Sequence, residues 1–163
     1  MKEIVQAIKE SLLEITHERF YETERGFQGE FGSELRSRLP KLELEGAIVE
    51  QEYQKRIRHH GFQTRPDLII HIPFEETEHS SRSEGNFLVI EFKRRASRMD
   101  ARADYENLHE MCEKLGYPLA VFINIDTEET YIEECIQPSQ AKIYAFSVSL
   151  RDGEVQINEQ ANT

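Results

Sequence analysis

The sequence predicts an α/β fold in which one central mixed sheet is flanked by helices. Short apolar runs suited to strands alternate with stretches whose apolar residues recur every three or four positions, as in helices. Two apolar runs, 87–93 and 118–125, are separated by one predicted helix, and such a strand–helix–strand unit implies parallel pairing. The chain has 163 residues, the size of one ordinary domain. We therefore expect a single domain over residues 1–163.

Two helices are predicted before the first strand. Residues 2–24 carry apolar side chains at helical spacing, which indicates an amphipathic helix. The segment "GFQGEFGSEL" interrupts this pattern with three glycines. A second helix is expected over 28–39, because an apolar residue recurs there at every fourth position and Pro40 then ends the pattern.

Three strands are predicted next. Residues 47–58 alternate between polar and apolar side chains, which is typical of a strand with one wet face. The run "LIIHI" at 68–72 is closed by a proline and a long polar loop. The run 87–93 is almost entirely apolar, so both of its faces should be covered.

The remaining elements complete the sheet. A helix is predicted over 100–115, with Gly116 as its carboxyl-terminal cap. After the strand at 118–125, a short helix within 128–137 and a strand over 141–150 are expected. Asp152-Gly153 is a hairpin signal, so 154–157 should return as an edge strand and form a C-terminal β extension. The last five residues are expected to fray.

Composition excludes several classes of protein. No segment approaches the ~20 apolar residues that a bilayer-spanning helix needs, and two cysteines are too few for a disulfide framework. We therefore expect a cytoplasmic protein without membrane contact. The formal net charge of −11 argues against wholesale binding of nucleic acid. Positive charge is nevertheless concentrated in one stretch, which begins at Lys93 and ends at Arg102.

Three charged residues lie where two apolar strands start or end. Glu91 and Lys93 are two apart on one strand, so their side chains leave the same face of the sheet. Asp67 opens the preceding strand and would lie beside Glu91 if the two strands pair as a hairpin. Two neighbouring carboxylates repel each other, so that either one pKa rises or both share a cation. Carboxylate oxygens suit Mg²⁺, and a nearby lysine can activate water or stabilise transition-state charge.

The motif formed by "RPDLII" and "LVIEFK" resembles the signature of the PD-(D/E)XK nuclease superfamily, whose fold is restriction-endonuclease-like. Pro66 and Asp67 match its first half, and Glu91, Phe92 and Lys93 match its second half. The order of predicted elements over 28–125 also resembles the αβββαβ core of that superfamily.

The resemblance implies a metal-dependent nuclease that hydrolyses phosphodiester bonds, with DNA as the expected substrate. It implies that Asp67 and Glu91 bind Mg²⁺, for which Mn²⁺ can substitute, and that Lys93 assists catalysis. A further acid often comes from the preceding helix in this superfamily. The candidates are Glu34, which we favour because it adjoins the apolar stripe, and Glu30.

The basic stretch after the motif offers contacts for nucleic acid. A cluster of guanidinium groups beside a metal site would neutralise phosphates. The candidates are Arg65, Arg94, Arg95, Arg98 and Arg102. Because little of the chain remains for a recognition domain, sequence specificity would come from a homodimer or from a partner protein.

Other interpretations stay open from the sequence. Asp67 could cap a turn, and Glu91 with Lys93 could form an exposed ion pair worth under ~1 kcal/mol. The same fold could serve as a catalytically inactive module that binds nucleic acid or scaffolds a complex. The acidic surface could instead bind a basic protein.

Overall fold

The computed structural model describes residues 1–51, 65–74, 84–137 and 139–162. Three α-helices and six strands make up most of these ranges. The helices are α1 (Lys2–Leu13), α2 (Glu24–Arg38) and α3 (Arg98–Leu115). The strands are β1 (Ile48–Gln51), β2 (Leu68–His71), β3 (Asn86–Arg94), β4 (Leu119–Ile125), β5 (Lys142–Arg151) and β6 (Glu154–Ala161). No helix in these ranges is both long and apolar enough to span a bilayer.

The six strands form one mixed sheet in the order β1-β2-β3-β4-β5-β6. Strand β2 is antiparallel to both of its neighbours, β1 and β3. Strands β3, β4 and β5 run parallel, and β6 returns antiparallel to β5. The prediction of an α/β protein with a mixed sheet flanked by helices is therefore confirmed. The antiparallel pairing of β2 with β3 and the parallel pairing of β3 with β4 are confirmed as well.

Helices cover both faces of the sheet. Helices α1 and α2 pack on one face, where Phe92 of β3 contacts Phe31 with ring centroids 5.3 Å apart. Helix α3 packs on the other face, where Tyr105 contacts Phe122 at 5.0 Å. Because neighbouring residues of a strand point to opposite faces, the two residues flanking Phe92 in β3 must face α3.

Helix α2 begins four residues earlier than the predicted start at 28. Thr23 caps it, since its hydroxyl accepts a hydrogen bond from the Gly26 N–H at 3.0 Å. The glycines therefore lie inside the helix and do not interrupt it. At Gly32 a Cβ would collide with the Gln51 side chain, whose amide donates to the Gln28 carbonyl at 2.7 Å. Close packing of α2 against β1 explains a glycine at this point.

Helix α3 has a well-defined start and end. Ser97 and Asp100 form a reciprocal capping box at its amino terminus. Gly116 ends it in the left-handed conformation, at φ 69°, as the sequence predicts. The apolar stripe of α3 packs on β3 and β4, which places the first turns of the helix near the carboxyl end of β3.

The carboxyl-terminal part differs from the prediction in two ways. Strand β6 continues to Ala161, and the Asn162 side chain accepts a hydrogen bond from the Ile143 N–H at 2.9 Å, so that 159–162 are ordered. Within 128–137 only a 3-10 helix over Ile132–Glu134 forms. Of the strand predicted at 47–58, the structure confirms Ile48–Gln51, and 52–58 lie outside the described residues.

Candidate active site at the carboxyl end of β3

Asp67 and Glu91 lie side by side. Leu68 pairs with Ile90 in the antiparallel β2–β3 ladder, so the residue before Leu68 lies opposite the residue after Ile90. One oxygen of Asp67 accepts a hydrogen bond from the Phe92 N–H at 2.8 Å. The carboxyl groups of Asp67 and Glu91 are close enough to act on each other, and Asp67 raises the pKa of Glu91.

Glu91 is the buried member of this pair, whereas Asp67 is half-buried. Its residue is only 8% exposed. Burial raises the pKa of Glu91 well above its usual value, and the negative charges of Asp67 and Asp104 raise it further. Both effects favour the protonated form of Glu91 over its carboxylate.

Lys93 is half-buried on the same face of β3 as Glu91. Burial acts to lower the pKa of Lys93, but the carboxylates of Asp104, Glu24 and Asp67 together raise it, so the group is an ammonium at neutral pH. No described residue forms an ion pair with this ammonium. Glu91 and Lys93 are therefore not the exposed ion pair that the sequence left open.

Asp104 joins the cluster from α3. Asp104 is 9% exposed, and its Oδ2 atom has no hydrogen-bond partner in the described part of the chain. Burial raises the pKa of Asp104 to about 6, although the charge of Lys93 opposes the shift. The sequence carried a signal for this residue, because Asp104 lies on the apolar stripe between Ala101 and Leu108, where a solvated carboxylate is not expected.

Glu24, the first residue of α2, is an acid whose charge acts on the cluster. Its carboxylate accepts a hydrogen bond from the Arg94 N–H at 3.0 Å, and its charge acts on Lys93. Sequence reasoning missed it because the glycines hid the true start of α2. At 1.5 Å per residue, Glu30 lies about 9 Å and Glu34 about 15 Å further along the helix.

Glu34 has a different partner. Its carboxylate forms an ion pair with Arg38 at 2.6 Å, one helical turn away. Arg38 also reaches Glu10 and Glu14 of the neighbouring segment, so the group ties α2 to α1. The structure thus shows Glu34 in a contact that packs α2 against α1.

The arginines after the motif are engaged within the chain. Arg94 and Arg95 both contact Asp126, at 2.9 Å and 2.7 Å. Arg98 bridges Glu133 and Glu134, each at 3.0 Å. Arg102 pairs with Glu106 one turn along α3. Arg65 is exposed beside the start of β2.

The donor set is suited to a hard divalent cation. All four carboxyl groups offer oxygen, which Mg²⁺ prefers, and Mg²⁺ requires only one or two protein carboxylates because it keeps several waters. The neighbouring carboxyl groups of Asp67 and Glu91 mark a place where a cation would relieve repulsion. Among the described residues, no group of three or more acidic, histidine or cysteine side chains is arranged tightly enough to enclose an ion.

Comparison with known proteins is sparse. No known protein family matches the sequence, and no curated protein is significantly similar to it. One solved structure that resembles the fold is SfsA from Pyrococcus furiosus, determined in complex with Ca²⁺. The TM-score is 0.42 with 15% sequence identity, over 81% of this chain and 62% of that one, so the chain spans less than two thirds of SfsA. A likeness this distant supports no conclusion about activity.

Proposed function

We propose that this protein is a metal-dependent nuclease of the PD-(D/E)XK type that hydrolyses phosphodiester bonds, with DNA as its substrate. One observation carries the proposal: the buried carboxyl group of Glu91 lies beside the half-buried carboxyl group of Asp67, on the sheet face that also carries the ammonium of Lys93. Burying the Glu91 carboxyl group beside a second carboxylate costs stability. Perturbed groups of this kind cluster at functional sites.

The order of elements supports the same proposal. Helix α2 is followed by three antiparallel strands, then by α3 and by β4, which is parallel to β3. This is the αβββαβ order of the restriction-endonuclease-like core that the motif resembles. The motif residues also lie at the expected points, with Asp67 before β2 and Glu91 and Lys93 near the end of β3.

In this proposal Asp67 and Glu91 hold Mg²⁺ or Mn²⁺, and Glu24 lies close enough to act on the same cluster. A bound divalent cation would supply Lewis-acid stabilisation of the phosphoryl oxygens and a more acidic water. Loss of the Glu91 proton would accompany binding, because a ligating carboxyl group must be deprotonated. Lys93 would contribute a fixed positive charge beside the reacting phosphate.

Metal binding can be tested apart from catalysis. Mg²⁺ or Mn²⁺ at 100 times its dissociation constant should stabilise the fold by about 2.7 kcal/mol, which corresponds to roughly 5–10 °C in the thermal midpoint for a domain of this size. Asp67→Asn should abolish this shift, because it removes the charge but keeps the shape of the side chain. Thermal unfolding with and without each metal measures the difference.

Glu133→Gln serves as the matched control for Asp67→Asn. Glu133 belongs to a second acidic region, 128–134, that offers another place for a cation. The proposal expects the control to retain the full metal-induced shift. An undiminished shift in Asp67→Asn together with its loss in Glu133→Gln would locate the cation away from Asp67 and refute the site.

The choice between helix acids has its own test. Glu24→Gln should weaken the binding of Mn²⁺ several-fold, since it removes a carboxylate from the cluster, whereas Glu34→Gln should leave binding unchanged. Isothermal titration with Mn²⁺ compares these two single-charge variants of the same helix directly. Weakened binding in Glu34→Gln alone would restore the assignment from the sequence.

A second candidate function is a catalytically inactive module that binds nucleic acid. The observation that favours it is the internal pairing of the arginines with Asp126, Glu133 and Glu134, in a chain with a net charge of −11. Such pairing reduces the positive surface available to phosphates. Single-turnover assays on labelled duplex and single-stranded DNA discriminate the candidates, because only a nuclease yields Mg²⁺-dependent products, whereas the module yields salt-sensitive binding alone.

A further inference from the structure

Asp104 has no role in the motif that suggested the activity, yet it is the most unusual carboxylate of the structure. Two buried side-chain polar atoms lack a hydrogen-bond partner among the described residues, Asp104 Oδ2 and His109 Nδ1. An unpaired imidazole nitrogen is neutral, whereas an unpaired carboxylate oxygen bears charge and is much more costly to bury. Asp104 therefore needs a cation that can reach it.

The position of Asp104 identifies that cation. Helix α3 packs on the sheet face that Glu91 and Lys93 of β3 share, and Asp104 lies on the buried side of the helix. Among the charges that act on Asp104, the ammonium of Lys93 has the largest effect, and Asp104 is likewise the carboxylate with the largest effect on Lys93. Each charge thus acts on the other, although no ion pair joins the two side chains among the described residues.

The Lys93 ammonium, in turn, must be held in one position if it is to act on a transition state. It sits on a flexible four-carbon chain that loses about 2 kcal/mol of rotamer entropy when it is held in one position. A charge that acts on a transition state must already be in position when the reaction occurs. Asp67 accepts from the Phe92 N–H and Glu24 from the Arg94 N–H, whereas Asp104 has a buried oxygen with no hydrogen-bond partner among the described residues.

We propose that Asp104 is a positioning residue whose free carboxylate oxygen draws the Lys93 ammonium inward and holds it beside the Asp67–Glu91 pair. The catalytic consequence rests on the proposed nuclease function, but the pairing of Asp104 with Lys93 does not. Asp104 itself touches neither the phosphate nor the attacking water; it acts through Lys93.

A double-mutant cycle tests the pairing without any assay of activity. The variants are Lys93→Met, Asp104→Asn and the combination of both, and thermal midpoints are measured in EDTA. Lys93→Met should lower the midpoint in the wild-type background by about 2–4 °C more than in the Asp104→Asn background. The reason is that without Lys93 the carboxylate of Asp104 stays buried and uncompensated.

Glu110→Gln on the same helix provides the matched control. Glu110 is paired with Lys114, on the exposed side of α3, and should show no coupling to Lys93→Met. Coupling of Asp104 no larger than that of Glu110 would overturn the proposal. Should Asp104→Asn fail to fold, Asp104→Ser completes the same cycle.

Single-turnover cleavage then tests the positioning role. Asp104→Asn should reduce the cleavage rate constant about 10–100-fold in the wild-type background while leaving substrate affinity unchanged, and it should have little further effect in the Lys93→Met background. Equal losses in both backgrounds would mean that Asp104 acts independently of Lys93, which refutes the role. If the wild type does not cleave but the midpoints show coupling, the pairing stands and the nuclease function falls.

Discussion

Lys93→Ala is expected to reduce single-turnover cleavage of DNA by the order of 10²–10³, the usual cost of removing one preorganised electrostatic contact from a transition state. Metal binding should persist, because the carboxyl groups of Asp67 and Glu91 remain. The fold should persist as well, because Lys93 is half-buried at the end of β3 and ion-pairs with no described residue. Cleavage rates at saturating enzyme, together with metal-induced thermal shifts, measure the two effects separately.

Lys93→Arg shows which property of the lysine matters. The surrounding carboxylates raise the pKa of Lys93, which favours a permanent charge over a base that removes a proton from water. Arginine keeps the charge and cannot lose its proton in a protein. Partial activity in Lys93→Arg therefore supports charge stabilisation. If Lys93→Ala cleaves as fast as the wild type, the lysine is structural and the mechanism is wrong.

Glu91→Gln is expected to raise the thermal midpoint of the metal-free protein at pH 8 and to abolish its response to Mg²⁺. The pKa of Glu91 is higher in the folded state than in the unfolded state, so unfolding releases a proton and rising pH destabilises the wild type. This loss of stability begins above the pKa of Glu91 in the unfolded state, near 4.3. It grows until the pH reaches the pKa of Glu91 in the folded state. Each unit of pKa difference between the two states changes the free energy of unfolding by about 1.36 kcal/mol. For a domain of this size, that is roughly 3–5 °C in the thermal midpoint.

Midpoints measured in EDTA at pH 4.5 and at pH 8 reveal this pH dependence. The thermal midpoint of Glu91→Gln should exceed that of the wild type by little at pH 4.5 and by much more at pH 8. Glu154→Gln, which changes an exposed glutamate of β6, should show no such difference. A lower midpoint for Glu91→Gln than for the wild type at pH 8 would mean that Glu91 is ionised and compensated without metal, contrary to the geometry described above.

The sequence by itself determined most of the fold and the centre of the site. Hydrophobic periodicity located α3 and the strands β2 to β5 to within a few residues, because burial imposes a period of 2 on strands and 3.6 on helices. It placed the start of α1 correctly, but that helix ends at Leu13 and not at the predicted residue 24. It also singled out Asp67, Glu91 and Lys93, since charges at the ends of apolar strands conflict with the local pattern. The hairpin arrangement that brings Asp67 beside Glu91 followed from the same pattern and is confirmed.

The tertiary structure alone decided which helix residues reach that centre. Local sequence suggested that the glycines interrupt a helix, whereas α2 runs through them: Gly32 permits close packing on β1, and the Thr23 cap starts the helix at Glu24. Asp104 enters the site only because α3 crosses the face of β3, a contact between segments that no local pattern encodes. Likewise, Asp126 captures Arg94 and Arg95 because the ends of β3 and β4 meet in the sheet. Periodicity reports which face of an element is buried, but the partner of a charged side chain depends on the packing of distant segments.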